Sequence, residues 1–431
     1  MHVRSRGSRT SNLTVWLERP LRTWSCVVGW LGATAIFVGL TLVVGIPTEG
    51  DARVSVFSAW ALAHGHFSCG YPPGGISNNL AAPLYPLLSG GLSALLRIGH
   101  SVPFPSQIAL GPHCSTAFAA MDQWAQRSGA WRPTLQIGFL GWIALMAGAI
   151  VLLRASGRGR CGWEPTALVI LALAPPISMC LTEYFHPQDL LAMGLALGGL
   201  ASVRRKRWIW AGLLLGLAII SQQFALLFLA PLIVVVPKNQ RVRFIGAVLL
   251  SWALVAVPVV VFTSGRAIAS TLVGTGGRMY SISWLDQTGL HPPLLFVVAR
   301  FLPFALALVL AWWAEKKFGP TVLEPVPFIS LIATSLCMRL VFEVNLYGYY
   351  FMAIAVLLIL LDVLRGRIRV SLVVWLVAVG VASYVTLTQG TSKVPILCWQ
   401  AVLVGSALAL AASPLISMKN LSVRNETEIS M

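Results

Sequence analysis

Long apolar runs separated by short polar connections fill this chain. Twelve of them, at 24–46, 131–153, 163–182, 187–203, 207–221, 222–236, 244–263, 292–313, 320–340, 346–363, 370–388 and 395–415, read as membrane-crossing helices. A run of roughly 17–25 mostly apolar residues matches the hydrocarbon thickness of a bilayer. The stretch 207–236 has short halves that meet at Ser221-Gln222-Gln223, so it is either two helices with a tight turn or one re-entrant hairpin. The longest break in the pattern, 47–130, far exceeds an ordinary connection. Within it, 52–64 sets Val54, Phe57, Trp60 and Ala61 on neighbouring helical positions, and Gly65 supplies a stop. A second apolar helix spans 80–97, with Pro83 and Pro86 near its start, and is too short to cross. Both are expected to lie along the membrane surface. The pattern therefore predicts an all-α integral membrane protein: a basic N-terminus at 1–23, one polytopic domain at 24–416, and a polar, disordered tail at 417–431.

Composition supports this division. Of 431 residues, 57% are apolar and 10% charged, and the mean hydropathy is +0.79. That leaves too little polar surface to coat a soluble globule. The net charge of +17 would suit nucleic acid, but no binding motif accompanies it, and its distribution has another cause. The basic residues alternate with the spans: Arg4 to Arg22, Arg154 to Arg160, Arg204 to Arg207, Lys238 to Arg243, Lys316 and Lys317, Arg365 to Arg369, then Lys419 and Arg424. Every second connection is basic, as the positive-inside rule requires, with anionic lipid as the partner of that side. The first span reads as a retained signal-anchor. Cys69 and Cys114 fall in one outer connection, where a disulfide and two separate thiols both remain open. No internal repeat of fixed period is visible, which disfavours transporter folds built from duplicated halves.

Polar groups collect on the other side. Glu49, Asp51, Arg53, Asp122, Glu183, His186, Asp189, Arg266, Arg278, Asp286, His291, Arg339 and Glu343 lie outside the spans or just within their outer ends. Two carboxylates two residues apart, Glu49 and Asp51, stand where the first span emerges. Charge so close to hydrocarbon costs several kcal/mol unless something requires it. The arrangement suits an active site facing the extracytoplasmic side of the cell membrane.

At this point the chain resembles a family. Asp51, the aromatic-containing helix with Trp60, Gly65, Tyr71-Pro72-Pro73 and Leu84-Tyr85-Pro86-Leu87 are similar to the GT-C membrane glycosyltransferases. The nearest likeness is to their bacterial polyprenyl-phosphate-mannose-dependent branch. His186-Pro187-Gln188-Asp189-Leu190-Leu191 and the Gly-rich run from Ala211 to Leu217 extend the resemblance. It covers the first half of the chain well and the second half through span count. The long segment 100–130 departs from it. The resemblance implies a GT-C-type bundle of about twelve helices with two juxtamembrane helices in its first outer loop. It also implies transfer of a sugar, mannose first and arabinofuranose next, from a polyprenyl-phosphate donor to an outer-face glycan or glycolipid.

Such a transfer needs a base for the acceptor hydroxyl and cations for the departing phosphate. Asp51 is the expected base, and single displacement would invert the anomeric carbon. Glu49 either orients Asp51 or holds Mg²⁺ or Mn²⁺ with it; the alternative is a solvated acidic turn. Arg278, Arg339 and His291 are candidates for the phosphate, Arg339 equally for an ion pair with Glu343 one turn away. His186 and Asp189 share a helix face and could hold sugar or acceptor hydroxyls or a metal, or only cap a helix. Tyr280, Trp284, Tyr347 and Glu343 complete the sugar-binding set, aromatics being ordinary interface anchors as well. Two rivals stand beside this reading: a twelve-span secondary transporter or lipid-linked sugar flippase, and an outer-face glycan polymerase or ligase.

Overall fold

The computed structural model describes residues 11–45, 84–95, 132–158, 163–183, 185–263, 292–343, 347–389 and 393–429, with Ala52, Ser55, Ser58, Ala59 and Leu62 besides. Among the described residues the structure is helical, with fourteen α-helices and no strands. They are α1 (Ser11–Val44), α2 (Leu84–Leu95), α3 (Arg132–Ala155), α4 (Trp163–Leu173), α5 (Pro175–Thr182), α6 (Pro187–Arg204) and α7 (Trp208–Ser221). There follow α8 (Leu226–Val235), α9 (Lys238–Thr263), α10 (Pro292–Phe318), α11 (Pro325–Phe342), α12 (Met352–Leu364), α13 (Val370–Gln389) and α14 (Lys393–Ile429). Each of the twelve apolar segments carries helix. By length and hydropathy five can cross a membrane alone, or six if α4 and α5 count as one bent span. The protein is a multi-pass membrane protein.

Burial sorts the helices. All of α12 is buried and nearly all of α6, as expected of helices apolar on every side. In contrast, α1, α9 and α14 bury a third or less of their apolar stretches. Val43, Val242, Leu254 and Phe301 point outward from α1, α9 and α10, which suits helices facing lipid. Small residues let the inner helices touch. A Cβ on Gly148 would stand 2.3 Å from the Gly194 carbonyl oxygen, and one on Gly216 equally close to that of Val248. Backbones approach this closely only where side chains are absent. The Gly-rich run of α7 thus packs against α9. These contacts also set direction: α3 runs parallel to α6, and α7 parallel to α9.

The two ends of the bundle differ. At one end, arginines hold helix termini together. Arg154 makes a two-pronged bond to Glu164, at 2.7 and 3.0 Å. Arg369 reaches Asp362 at 2.7 Å, the Leu410 carbonyl and the Ser413 hydroxyl. Arg158 donates to the Leu364 carbonyl, Arg241 to those of Val234 and Val236, and Arg204 to that of Leu323. Cations at carbonyl-bearing C-termini also oppose the helix dipole favourably. The basic connections therefore have a structural use beside their topogenic one. Cys26 is disulfide-bonded. Cys69 and Cys114 lie outside the described residues.

Four expectations are refined. The segment 207–236 forms two helices, α7 and α8, joined by a 3-10 turn at Gln223–Ala225. The segment 163–182 is bent by 52° between α4 and α5, where Pro175 and Pro176 deny the ladder its donors. The tail at 417–431 was expected to be disordered, yet α14 continues through it to Ile429. The loop helices do not simply lie on lipid. Ala52, Ser55, Ser58, Ala59 and Leu62, spaced along one helical face, are all buried. Leu62, Leu84 and Tyr85 share an apolar cluster with Leu191, Ile220, Ala256 and Val259. Their apolar faces are satisfied by the ends of α6, α7 and α9, so the loop helices roof the non-basic end.

Candidate functional site

Five of the sequence-derived site residues, His186, Asp189, Arg339, Glu343 and Tyr347, are described, and all five stand at the roofed end. Glu49, Asp51, Arg278, Tyr280, Trp284 and His291 lie outside the described residues.

The cluster begins where α5 hands over to α6. Phe185 adopts φ +56°, a left-handed conformation that costs a residue with a Cβ about 1–2 kcal/mol. Its ring fills a notch in α3 at Gly138, where a Cβ would come within 2.9 Å of the ring. Burial of the ring holds the turn. The chain then presents His186 at the start of α6, Pro187 in the first turn, and Asp189 in that same turn. A carboxylate there gains from the helix dipole.

Partners arrive from the break between α7 and α8 and from α11. The Gln222 side-chain amide donates to Asp189 Oδ1. Gln222 itself is extended, with φ −160° and ψ 134°, and its side-chain oxygen accepts from the Gln223 backbone. The break between α7 and α8 is what aims it. Ser221 donates to the Gln188 carbonyl at 3.1 Å. From α11, Arg339 Nε donates to Glu343 Oε2 at 2.8 Å, in a pair that is largely buried. The charge of Asp189 also reaches Arg339. The guanidinium lies over the rings of Tyr350, at 5.2 Å, and Phe224, at 5.8 Å, within cation–π range.

An aromatic series completes the arrangement. His186 stacks on Tyr349 at 4.5 Å between centroids. Tyr349 meets Tyr350 edge-on at 4.6 Å, and Tyr347 stacks on Tyr349 at 5.9 Å. Just past α5, Glu183 accepts a hydrogen bond from the Tyr349 backbone N–H. Burial pushes its carboxyl up to about 7, against that bond and the charge of His186, which pull it down. The Gln188 amide and His186 Nδ1 are 2.8 Å apart.

Sequence reasoning missed Gln222 and Phe224 as site members and gave Gln188 and Tyr349 no individual role. Gln222 carried a signal, being a polar break in a thirty-residue apolar stretch, but nothing along the chain told which residue it would meet. As for metals, no group of three His, Cys, Asp or Glu side chains close enough to hold an ion occurs among the described residues. The cluster can bind and orient a polar ligand at the membrane boundary, offering carboxylates, amides, one paired guanidinium and aromatic faces.

No family model matches the chain, and no curated protein matches it. Among solved structures it is similar to the crystal structure of ArnT from Cupriavidus metallidurans bound to undecaprenyl phosphate. The match covers 88% of this chain and 77% of that one, with 15% identity and a TM-score of 0.45. A likeness this distant carries no inference about activity. The fold and the cluster define the class directly: a multi-pass helical membrane protein with a polar site at one end of its bundle.

Proposed function

We propose that the protein is a membrane glycosyltransferase of the extracytoplasmic face. It would move a sugar, mannose by resemblance, from a polyprenyl-phosphate donor to a glycan or glycolipid acceptor, with inversion. One observation carries the reading: Glu183, His186, Asp189, Arg339 and Glu343 converge at the end of the bundle roofed by the loop that contains Asp51. A lipid-borne donor presents its sugar at that depth. A transporter would instead hold its ionisable groups near the midplane, whereas these belong to helix ends. The basic opposite end faces the cytoplasm by the positive-inside rule, which turns the polar end outward.

In the reaction, the acceptor hydroxyl oxygen bonds to the anomeric carbon as the bond from that carbon to the phosphate oxygen breaks. The electron pair leaves on the phosphate, and the hydroxyl proton passes to Asp51. Glu49 would orient that carboxylate or hold Mg²⁺ or Mn²⁺ with it. His186, Asp189 and Tyr347 would bind the sugar or acceptor, with Tyr280 and Trp284. Arg339 is already shared between Glu343 and Asp189, so the larger part of the phosphate's neutralisation falls to Arg278 and His291.

The test is transfer by purified protein from radiolabelled polyprenyl-phosphate sugars into a membrane extract. Asp51→Asn should cut transfer by about 10²–10⁴-fold, the usual worth of a general base, in a folded, inserted protein. Transfer at the wild-type rate in that variant would remove Asp51 from the mechanism.

A further inference from the structure

Buried side-chain polar atoms without a hydrogen-bond partner are rare in folded proteins. Among the described residues they divide by end. Those at the basic end are Trp30 Nε1, Ser156 Oγ, Arg204 Nε and Arg369 Nη2. Those at the roofed end are Ser55 Oγ, Ser58 Oγ, Glu183 Oε2 and Gln188 Oε1. Every orphan at the roofed end can accept a hydrogen bond, and three of the four at the basic end can only donate. Gln188 is the sharpest case, with 0% of its surface exposed. Its amide has one side-chain partner, His186 Nδ1. Whichever way round that amide stands, its other half has no partner. Leaving such a group unsatisfied costs more than the average hydrogen bond contributes, so the position is poorly explained by stability alone.

We propose that Glu183, bonded to the Tyr349 backbone, and Gln188, which meets His186 Nδ1, form a subsite for the hydroxyl groups of a neutral saccharide. The reading rests on the function proposed above and assigns these two residues to the sugar rather than to the phosphate. Three arguments select the ligand. A hydroxyl both donates and accepts, so it satisfies the carboxylate oxygen and either orientation of the amide. A phosphate would only accept, and would face the carboxylates of Glu183, Asp189 and Glu343, with Arg339 already engaged. The partly exposed Tyr347 and Tyr350 suit the apolar face of a sugar ring, a face that a phosphate lacks. Glu183, Tyr347 and Tyr350 are partly exposed, whereas Gln188 is fully buried, so a hydroxyl reaches its amide only when neighbouring side chains move.

The experiment uses the full chain in lipid nanodiscs, with Gln188→Met and Glu183→Gln as variants. Three probes are titrated: a polyprenyl-phosphate sugar, the same polyprenyl phosphate without sugar, and free methyl glycosides of mannose, arabinose and glucose observed by saturation-transfer NMR. Each variant is expected to weaken sugar-bearing probes about tenfold, the worth of a hydrogen bond or two, and to leave bare polyprenyl phosphate unchanged. Gln188→Met should change the melting temperature little, because removing the orphaned half of the amide offsets the loss of its bond to His186 Nδ1. Equal weakening of bare polyprenyl phosphate, or unchanged glycoside binding in both variants, would overturn the subsite. If the wild type uses no lipid-linked sugar, the proposed function falls on that arm, and the glycoside titration still decides the subsite. Glycoside signal lost in the variants supports it, and absence of signal in the wild type refutes it.

Discussion

Asp189 and Gln222, 33 residues apart, are joined by a hydrogen bond from the Gln222 amide to the Asp189 carboxylate. The bond ties the first turn of α6 to the break between α7 and α8. It is the contact that makes one site out of two helix ends.

A hydrogen bond to a charged group contributes about 1.5–3 kcal/mol. Gln222→Leu should therefore lower sugar transfer by about 10–100-fold through misplacement of Asp189. Gln222→Glu sets a second carboxylate against the first and should do worse. Steady-state transfer, read beside thermal unfolding of the same preparations, checks this. Wild-type activity in Gln222→Glu would show that the orientation of Asp189 does not matter.

The Arg339–Glu343 pair allows a sharper separation of stability from function. Removing one partner of a buried pair leaves an uncompensated charge and typically costs about 3–5 kcal/mol. Replacing both with apolar residues is often nearly neutral. Glu343→Leu alone should thus lower the melting temperature markedly, and Arg339→Met with Glu343→Leu should restore most of it. Transfer activity should stay low in the double variant, because Asp189 then loses its cation as well. Recovery of activity along with stability would make the pair purely structural.

The helices were legible because length and hydropathy decide them residue by residue, and the Arg339–Glu343 pair because i,i+4 spacing on a helix puts both side chains on one face. The meeting of His186 and Asp189 with Gln222 and Tyr349 was not. It depends on how α6, α7 and the segment before α12 pack, which is set by glycine contacts such as Gly148 against Gly194 rather than by any local pattern. The loop helices were legible as helices but not as a roof. An apolar face is satisfied equally by lipid and by protein, and only the position of Leu191, Ile220 and Val259 decides between them. Phe185 is the clearest gap: nothing in its type announces a positive φ, which tertiary packing imposes.

That turn gives a prediction remote from any ligand. A Cβ on Gly138 would stand 2.9 Å and 3.0 Å from two atoms of the buried Phe185 ring, which has little room to move. Gly138→Val should destabilise by about 1–3 kcal/mol, the usual cost of overpacking. It should also reduce transfer disproportionately, since displacing Phe185 rotates the start of α6 with His186. Gly246→Val, on α9, where a Cβ meets nothing within 4 Å, serves as the control. Equal effects of the two variants would remove the claim that the notch sets the turn.

Glu183 links the site to pH. Its carboxyl is pushed up from the ordinary 4.5 to about 7, chiefly by burial, with the Tyr349 N–H and His186 opposing the shift. Below 4.5 the group is protonated in the folded and unfolded chain alike, and its contribution is fully present. Between 4.5 and about 7 the unfolded chain releases the proton while the folded one keeps it, so stability falls as pH rises through this window. Above 7 both forms are ionised, and the loss is complete and constant. Thermal unfolding of wild type and Glu183→Gln from pH 4 to 8.5 reads this directly, since glutamine cannot titrate and other groups affect both proteins equally. The variant should gain on the wild type across pH 4.5 to 7 and keep a fixed lead, or a fixed smaller deficit, above that. Parallel curves over the whole range would mean that the carboxyl is not held above its ordinary value, and that Glu183 stands in water.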